Sequence, residues 1–357
     1  MFENIPNLNN VAIAAITALT ISLLSTPFVI FLSEKFGLID DPATNKHPKV
    51  IHTYPVPRAG GLAIYLGVLF ASLLFLPLDK HLLAILLGAS IITILGLLDD
   101  KYNINPYIRM VALLVISFIP VASGIGISYF TNPLGGTIDL SNYQISFNLF
   151  GNSHNIWIIA DIFAICWIFF LMNIINMGAK GVDGQLPGVS TIAAIFIAVL
   201  SFRYSADITQ WPVIVLASIT AGAFLGFLPW NFYPQKIMPG YSGSTLAGYL
   251  LSVLSILSTT KVGTLFVLLS IPIIDTLYTI IRRIISGKSP VWGDKGHLHH
   301  RLLESGLSKR MVAIFYWLGA FVLGIFAISL NAQFKLYTIF IVAIFVGFLL
   351  LTLKKSK

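Results

Sequence analysis

Long apolar runs separated by short polar segments make up most of the chain. A membrane-spanning helix needs about 20 mostly apolar residues, and sometimes about 17. On that criterion the pattern predicts eleven spanning helices, at approximately residues 11–32, 60–77, 82–98, 108–127, 156–176, 188–202, 212–229, 244–259, 263–284, 311–331 and 336–353. The expected fold is an all-α, polytopic transmembrane helical bundle that forms one membrane domain over residues 1–357.

The composition places the chain among integral membrane proteins. Hydrophobic residues make up 57% of it and charged residues only 10%, whereas soluble domains carry about 25% charged residues. The single cysteine, Cys166, lies inside an apolar run, so it cannot form an intrachain disulfide and is predicted to be a small core residue. No Lys or Arg precedes the first apolar run, which predicts that the first helix is retained and not cleaved as a signal peptide.

The basic residues predict the orientation of the bundle. The formal net charge is +8, and Lys and Arg of membrane proteins concentrate in cytoplasmic segments. If the N-terminus lies outside, all 22 Lys and Arg residues fall on the cytoplasmic side except Lys80, Arg203, Lys261 and Lys335. We therefore expect an external N-terminus, a cytoplasmic C-terminus and a basic face that attracts anionic lipids. Nucleic acid is not an expected partner.

Residues 128–155 form the one long external segment. Within it TIDLSNYQISFNL, residues 137–149, alternates in part with a period of two, which predicts a small external β-hairpin. An irregular loop is the alternative.

Two aspartates close the third predicted helix, in the segment LLDDKYNINP. Asp99 and Asp100 would oppose the helix macrodipole there, because the C-terminus of a helix favours cations. Two adjacent carboxylates at a membrane interface suit a metal ion, a general base or a cation that accompanies phosphate. A solvated helix end is the alternative.

The segment HPKVIHTYPVPRAGG precedes the second predicted helix. Its basic and imidazole side chains are His47, Lys49, His52 and Arg58. They predict either a wall that binds phosphate or a basic juxtamembrane loop that contacts anionic headgroups.

The segment GDKGHLHHRLLESG holds three histidines. Asp294 is predicted to cap a short helix. On that helix His297 shares one face with His300 and Arg301, whereas His299 points elsewhere. Such a group near a helix N-terminus suits a diphosphate. Zinc is the rival interpretation, but no cysteine is nearby and the histidine pair would need further ligands.

Three further features carry polar chemistry. The segment NMGAKGVDGQLPG, residues 176–188, places Lys180 and Asp183 on glycine hinges. In GYSGST, Ser242 and Ser244 precede the eighth helix, as a backbone nest for an anion or as an ordinary helix start. Asp275 is a carboxylate inside the ninth predicted helix, a position that marks a functional site by default. Together the clusters predict a cytoplasmic cleft suited to phosphoryl transfer from a water-soluble donor to a lipid.

These motifs, in this order, resemble those of the polyprenyl-phosphate N-acetylhexosamine-1-phosphate transferases, the MraY/WecA family of glycosyltransferase family 4. The resemblance runs from HPKVIHTYPVPRAGG through GLLDDKYNINP and NIINMGAKGVDG to GYSGS and PIIDTLYTIIRRIISGKSPVWGDKGHLHHRLL. The number of helices, the external N-terminus and the HLHH segment resemble the WecA branch.

The resemblance implies a reaction. A HexNAc-1-phosphate would pass from a UDP-N-acetylhexosamine, such as UDP-GlcNAc, to polyprenyl (undecaprenyl) phosphate, with release of UMP. This would be the first membrane step of a cell-envelope glycan, at the cytoplasmic face of the plasma or inner membrane. The resemblance also implies Mg²⁺ as a cofactor, and it leaves a homodimer open.

The resemblance assigns roles residue by residue. The aspartate pair of the family, credited with activating the lipid phosphate or placing the cation, matches Asp99 and Asp100. Its sugar-nucleotide loop matches Asn173, Asn176 and Asp183, and its histidine loop near the diphosphate matches His297, His299, His300 and Arg301. The predicted catalytic residues are thus Asp99, Asp100 and Asp183, with Asp99 and Asp100 also as metal ligands. The predicted substrate-binding residues are Asn173, Asn176, Lys180, His47, Arg58, His297, His299, His300, Arg301 and Ser242.

Two positions depart from the pattern of the family. The loop of the family, N-x-x-N-x-x-D-G-x-D-G, carries two aspartates, and Asp183 matches the second. The first falls at Lys180, with one extra residue after Asn176, or at Ala179 if the spacing is counted from Asn176. Where the family has G-D-S-G-S, with an aspartate on the metal, this chain has Tyr241. A neutral phenol is a poor ligand for Mg²⁺, so the sequence leaves the dependence on that ion open.

The sequence supports three functional hypotheses. The first is an active transferase in which the Lys180 ammonium replaces part of the metal site. The second is a catalytically impaired relative that binds the lipid carrier or the nucleotide as a scaffold. The third is a membrane transporter, although transporters place their sites near the bilayer midplane and often carry inverted repeats, which this sequence does not show.

Overall fold

The computed structural model describes residues 8–44, 51–149, 152–258, 261–291, 293 and 295–353. This part of the chain is mainly helical and contains three two-stranded sheets. The helices are α1 Leu8–Lys35, α2 Gly60–Phe75, α3 Lys80–Tyr102, α4 Pro106–Ala122, α5 Ile158–Gly178, α6 Gln185–Phe202, α7 Gln210–Asn231, α8 Gly240–Leu257, α9 Lys261–Leu268, α10 Ser270–Ile285, α11 Leu298–Glu304, α12 Lys309–Ser329 and α13 Ala332–Thr352. The strands are β1 Ile39–Asp40, β2 Val56–Pro57, β3 Tyr129–Thr131, β4 Thr137–Asp139, β5 Gln144–Leu149 and β6 Asn152–Trp157.

Eight of the described helices are long and apolar enough to cross a membrane, namely α1, α3, α5, α6, α7, α8, α12 and α13. The bent pair α9 and α10 is a ninth if it counts as one span, and α2 and α4 are shorter apolar helices of 16 and 17 residues. Each predicted span falls on one of these helices or on the bent pair, and the all-α polytopic fold is confirmed. The number of crossings and the sides on which the termini lie stay predictions.

The ninth predicted span, residues 263–284, is not one straight helix. α9 ends at Leu268, α10 begins at Ser270, and the two axes differ by 81°. Pro272 lies in the first turn of α10, where its nitrogen cannot donate to the carbonyl of Leu268, so the hydrogen-bond ladder does not continue across Leu269 at this position. An apolar run alone does not reveal such a bend.

Helix α8 is the most buried of the candidate spans, and it packs against α3 and α5. Small residues let neighbouring helices approach closely elsewhere in the bundle, as in the Gly-x-x-x-Gly pattern of α7. Gly222 and Gly226 lie against the carbonyls of Ala15 and Leu19 on α1, so a Cβ at either glycine would collide with that backbone. The contact fixes α7 against α1.

A proline inside α1 is compensated across the same interface. Pro27 has no N–H, so the carbonyl of Leu23 lacks its helical partner. The indole Nε1 of Trp230, near the end of α7, donates to that carbonyl at 3.0 Å. This hydrogen bond ties the second half of α1 to the segment that leads into α8.

The segment predicted to be external contains two hairpins where the sequence predicts one. β3 pairs with β4, and β5 pairs with β6. The predicted hairpin over residues 137–149 has the wrong pairing, because its two strands, β4 and β5, belong to different sheets. Alternation identified strand residues, but a period of two does not say which strands pair.

Cys166 is exposed on α5, and the prediction of a core position is wrong. Lipid tails are as apolar as a protein core. For this reason an apolar run does not separate the lipid-facing positions of a spanning helix from its buried ones.

The helix ends that carry the polar clusters meet at one end of the bundle. α3, α5 and α7 end there, while α2, α6, α8 and α12 begin there. Contacts between these ends, such as the hydrogen bond from Gly184 N to Asn231 Oδ1 at 3.0 Å, bring distant parts of the chain together. The side of the membrane that this end faces stays a prediction.

Candidate active site

The start of α8 is held against the start of α2. The N–H of Gly60 donates to the carbonyl of Met238 at 3.0 Å, so the segment before α2 runs beside the segment before α8. Gly240 begins α8 with φ +70°, and its Cα lies against the carbonyl of Arg58, which leaves no room for a side chain. This docking places Arg58 at the start of α8.

Asp100, at the end of α3, binds the first turn of α8. Its oxygens lie 3.0 and 3.1 Å from the N–H of Tyr241, and Arg58 Nη2 lies 3.3 Å from Oδ1. A carboxylate is favourable at a helix N-terminus, so α8 and Arg58 offset the unfavourable position of Asp100 at the end of its own helix. The sequence indicated that this position is unfavourable but not what compensates for it.

Asp99 pairs with a different cation. Arg109 Nη1, from the first turn of α4, donates to Asp99 Oδ2 at 2.8 Å. Asp99 Oδ1 is buried and accepts no hydrogen bond from the described residues, so it is an acceptor that a substrate can use. Sequence reasoning missed Arg109, although a basic residue one turn into the helix after the aspartate pair was a usable signal.

Lys180 and Tyr241 complete this group. Lys180 Nζ donates to Asn176 Oδ1 at 2.7 Å and lies 3.5 Å from the carbonyl of Gly240. The Lys180 ammonium and the Arg109 guanidinium lie 5.9 and 4.6 Å from the centre of the Tyr241 ring. We call the following residues the aspartate-pair cluster: Arg58, Asp99, Asp100, Arg109, Lys180 and Tyr241.

A glutamine shapes the loop between α5 and α6. Gln185 Oε1 accepts hydrogen bonds from the N–H groups of Gly181 and Val182, at 2.9 and 3.1 Å. Its Nε2 donates to the carbonyl of Gly178 at 3.0 Å. Gln185 is fully buried and closes both ends of the loop, which gives residues 179–184 a fixed backbone. Sequence reasoning assigned this glutamine no role.

Asp183 lies at the other end of this loop. Lys309 Nζ, at the start of α12, is 3.7 Å from Asp183 Oδ1. Burial raises the pKa of Asp183, and the charges of Lys309 and His52 act in the opposite direction. Burial, and after it the charge of Asp183, also raise the pKa of Tyr54. We call Asp183, Lys309, His52 and Tyr54 the loop-aspartate cluster.

Asp275 organises the histidine segment. Its Oδ1 accepts from the N–H of Leu298 at 2.7 Å, and its Oδ2 lies 3.0 Å from His297 Nδ1. The intramembrane carboxylate therefore holds the start of α11, and the basic group with which it pairs is His297.

His299 lies between the other two histidines. Its ring centre is 5.5 Å from that of His297 and 4.3 Å from that of His300. Burial, and after it the neighbouring imidazoles, lower the pKa of His299 well below its usual value, so this side chain is neutral near pH 7. Gly181 packs directly on the ring, which joins the histidine segment to the loop between α5 and α6.

Arg301 has a different position from the one predicted. Its guanidinium donates to the carbonyls of Leu350 and Leu353 at the end of α13, a favourable place for a cation. The predicted shared face of His297 and Arg301 is wrong, because α11 begins at Leu298 and His297 is its N-cap. Arg301 thus holds α13, and we assign it no ligand.

The remaining predicted residues fall in several places. Ser242 Oγ lies 3.5 Å from Asp100 Oδ2, beside the aspartate-pair cluster. Asn173 Nδ2 donates to the carbonyl of Phe169 in its own helix at 2.8 Å. His47 and Asp294 lie outside the described residues.

The site does not fit the Mg²⁺ that the resemblance implies. No three His, Cys, Asp or Glu side chains come together within the described ranges as a metal site requires, and this applies to zinc as well. Mg²⁺ prefers carboxylate, phosphate and water oxygens. Asp99 and Asp100 each already have a guanidinium partner, and Lys180 adds a third cation. Both carboxylates are therefore already paired, which leaves no suitable set of ligands for a divalent cation among the described residues.

A comparison with protein families identifies the chain. Residues 82–259 match the model of the family described as glycosyl transferase family 4. The match contains the aspartate pair, the loop between α5 and α6 and the start of α8.

Curated relatives extend this match over nearly the whole chain. A probable undecaprenyl-phosphate N-acetylglucosaminyl 1-phosphate transferase of Bacillus subtilis is 33% identical, over 94% of this chain and 90% of that protein. A decaprenyl-phosphate N-acetylglucosaminephosphotransferase of Mycolicibacterium smegmatis is 31% identical, over 89% of this chain and 82% of its own length. An undecaprenyl-phosphate alpha-N-acetylglucosaminyl 1-phosphate transferase of Escherichia coli K12 is 26% identical, over 85% of this chain and 80% of that protein.

Proposed function

The chain belongs to the polyprenyl-phosphate N-acetylhexosamine-1-phosphate transferases of glycosyl transferase family 4, and we propose that it joins HexNAc-1-phosphate to undecaprenyl phosphate or a related carrier. The donor is a UDP-N-acetylhexosamine such as UDP-GlcNAc, and UMP is released. The reaction takes place at the cytoplasmic face of the plasma or inner membrane. One observation supports this proposal most strongly: a cluster of paired carboxylates and guanidinium groups lies at the polar end of an apolar, outward-facing stripe.

That stripe runs along α5. Its exposed or half-buried members, spaced three or four residues apart on one helix face, are Ile162, Cys166, Phe169, Asn173 and Asn176. Helices α4, α8 and α10 pack on the other faces of α5. The stripe is apolar along most of its length and polar where it reaches Lys180. It therefore fits a polyprenyl chain whose phosphate lies beside Asn176.

The chemistry is a displacement at phosphorus. An oxygen of the polyprenyl phosphate attacks the β-phosphorus of the donor, which carries the sugar. A new P–O bond forms, the bond from the β-phosphorus to the bridging oxygen breaks, and UMP leaves with that electron pair. Such reactions depend mainly on positioning and on stabilisation of charge. Arg58 and Arg109 present planar forks of N–H donors, which match phosphate oxygens.

The two adjacent aspartates have different tasks in this scheme. Asp99 Oδ1 is buried and has no hydrogen-bond partner among the residues that the structure describes, so it accepts the proton of the lipid phosphate monoester, whose second pKa is about 6. Loss of that proton makes the attacking oxygen more nucleophilic. Asp100 already uses both oxygens on Tyr241 and Arg58, so it is a positioning residue for the start of α8.

The loop-aspartate cluster and the histidine segment form the donor side of the cleft. His299 is neutral, and its buried Nδ1 has no hydrogen-bond partner in the described part of the chain. It is thus ready to bond a polar group of the sugar nucleotide. The carboxylate oxygens of Asp183 accept hydrogen bonds from hydroxyl groups of the sugar or the ribose. The fixed backbone of the loop holds these oxygens at the cleft.

Product formation by the purified protein tests the proposal. The protein, in lipid nanodiscs with undecaprenyl phosphate, is given UDP-GlcNAc in a buffer with Mg²⁺, and then other UDP-HexNAc donors in turn. We expect UMP on ion-exchange chromatography and, by mass spectrometry, a lipid heavier by one HexNAc-phosphate, in equal amounts. Folded protein that binds nucleotide yet forms no lipid product with any donor would contradict the proposal and support the scaffold hypothesis, which the altered positions Lys180 and Tyr241 motivate.

A further inference from the structure

We propose that Trp317, on α12, is a positioning residue for the donor and that it acts through Asp183. The inference rests on the proposed function, because it concerns the donor hydroxyl groups that Asp183 binds. It predicts that loss of the indole N–H weakens donor binding only while the Asp183 carboxylate is present.

The indole of Trp317 bonds the backbone beside Asp183. Its Nε1 donates to the carbonyl of Gly184, the next residue along the chain, at 3.1 Å. That carbonyl also accepts from the N–H of Gly188, in the first turn of α6, at 3.2 Å. The indole therefore holds the point at which the loop becomes a helix.

Gly184 depends on such partners, because it has no side chain of its own to restrict its backbone. It has φ +81°, a conformation that glycine adopts, and also leaves, at little steric cost. Asn231 Oδ1 accepts from its N–H at 3.0 Å, and Trp317 bonds its carbonyl. The orientation of this backbone, and with it that of the neighbouring Asp183, is thus set by two side chains from other helices.

Two glycines make room for the indole. Gly184 and Gly188 lie one helical turn apart, and a Cβ on Gly188 would collide with the five-membered ring of Trp317. On its other side the indole packs against Phe232, with 5.4 Å between the ring centres. The ring is therefore held in the position from which its N–H reaches the Gly184 carbonyl.

Helix α12 reaches the same loop at a second point. Lys309, about two helical turns before Trp317, lies 3.7 Å from Asp183 Oδ1. Asp183 Oδ2 is buried and has no hydrogen-bond partner in the described part of the chain, so it can accept from a donor hydroxyl. One side chain of α12 thus contacts the carboxylate, and the other fixes the backbone that carries it.

Donor binding by two variants of Trp317 is the test. Calorimetry on the full-length protein, in nanodiscs with Mg²⁺ but without polyprenyl phosphate, gives the Kd of UDP-GlcNAc or of whichever UDP-HexNAc binds most tightly. Trp317→Phe keeps an aromatic ring but removes the N–H, and it should raise Kd about 2- to 10-fold, the effect of one neutral hydrogen bond. Trp317→His should bind nearly like the wild type, because its Nε2 has the same covalent position relative to Cβ as the indole Nε1 and can donate.

A double-mutant cycle tests whether Trp317 acts through Asp183. Asp183→Ala should itself weaken donor binding, and Trp317→Phe should cause no further loss in that background. A merely structural role of Trp317, or a direct contact with the donor, would give the same loss in both backgrounds.

Trp211→Phe is the matched control. Trp211 packs edge-on against Phe202 near the start of α7, at the end of that helix opposite the candidate site. The same substitution there should leave Kd unchanged. Thermal unfolding confirms that each variant is folded, and the Phe and His variants of Trp317 decide alone if Asp183→Ala does not fold.

Four results would overturn the inference: Trp317→Phe with the wild-type Kd, Trp317→His as weak as Trp317→Phe, an equal loss from Trp317→Phe with and without the Asp183 carboxylate, or wild-type protein that binds no UDP-HexNAc. Failure of the proposed function gives a different pattern. In that case the donor would bind and the cycle would hold, but no UMP or lipid product would form once polyprenyl phosphate was added.

Discussion

The aspartate-pair cluster and the loop-aspartate cluster approach each other to within three residues along the chain, at Lys180 and Asp183, yet their carboxylates are paired differently. In the first, each carboxylate contacts a guanidinium, at 2.8 and 3.3 Å. In the second, one carboxylate faces one ammonium at 3.7 Å. In the proposed reaction the guanidinium groups of the first cluster bind phosphate, whereas the second cluster binds the uncharged hydroxyl groups of the donor.

The protonation of Asp183 in the loop-aspartate cluster also depends on pH. Burial raises the pKa of Asp183, so the folded protein holds this proton more tightly than the unfolded chain does. The stabilisation from the protonated carboxyl is present below the unfolded pKa and is lost as the pH rises through the folded pKa. The ionised form is kept in place by Lys309 and the nearby His52.

The largest predicted effect comes from Asp99. Asp99→Asn should lower kcat about 10²- to 10⁴-fold, the usual contribution of proton transfer by a positioned side chain. UDP binding should not weaken, because the substitution removes a negative charge from the anion site. UMP release and calorimetry measure the two effects.

Asp207 offers a matched control for this substitution. Its carboxylate accepts hydrogen bonds from the N–H and the hydroxyl of Thr209, in the segment before α7, at the end of that helix opposite the candidate site. Asp207→Asn should leave kcat unchanged. An Asp99→Asn variant with nearly wild-type kcat would remove the distinction between the two adjacent aspartates.

The next effect concerns the ring of Tyr241. Tyr241→Leu should weaken UDP binding about 2- to 30-fold, because a cation–π contact contributes about 0.5–2 kcal/mol. Tyr241→Phe keeps the aromatic face and should bind UDP like the wild type. If the Phe variant were as weak as the Leu variant, the hydroxyl and not the ring would be the functional group.

The smallest effect lies in the loop-aspartate cluster. Lys309→Gln removes a charge that lowers the pKa of Asp183, so this pKa rises further and the acidic limb of the kcat/KM profile should move to higher pH. At alkaline pH the loss should stay below about fivefold, since partly exposed pairs contribute about 0.2–1 kcal/mol.

Lys236→Gln is the control for the pH profile, because it removes an exposed charge that does not contact Asp183. A profile of Lys309→Gln that overlaid the wild type on its acidic side would show that the ionisation of Asp183 does not limit the reaction.

The sequence predicted the helices and the polar clusters well, because hydrophobic runs and charge patterns are local properties. It did not predict the contacts that give each charge its task. Tyr241 N–H binds Asp100 across 141 residues of sequence, and Lys309 reaches Asp183 from another helix. Such pairs depend on how the helices pack, which periodicity does not specify.

Two predictions about side-chain positions are wrong, because a local sequence pattern does not show what a side chain packs against. Helical spacing groups Arg301 with His297, but α11 begins at Leu298 and the end of α13 supplies acceptors for the guanidinium. Apolar neighbours predict a core position for Cys166, yet it faces outward. In a membrane protein apolar sequence describes the lipid-facing surface as well as the interior.

The rate of UMP release by wild-type protein with and without divalent ions tests the central claim most directly. Protein stripped with EDTA, given UDP-GlcNAc and undecaprenyl phosphate in nanodiscs, should release UMP at nearly the rate seen with Mg²⁺, because Asp99 and Asp100 are already paired with Arg109 and Arg58. A rate in EDTA more than about tenfold lower and restored by Mg²⁺ would contradict the claim, since catalytic metal ions contribute several kcal/mol.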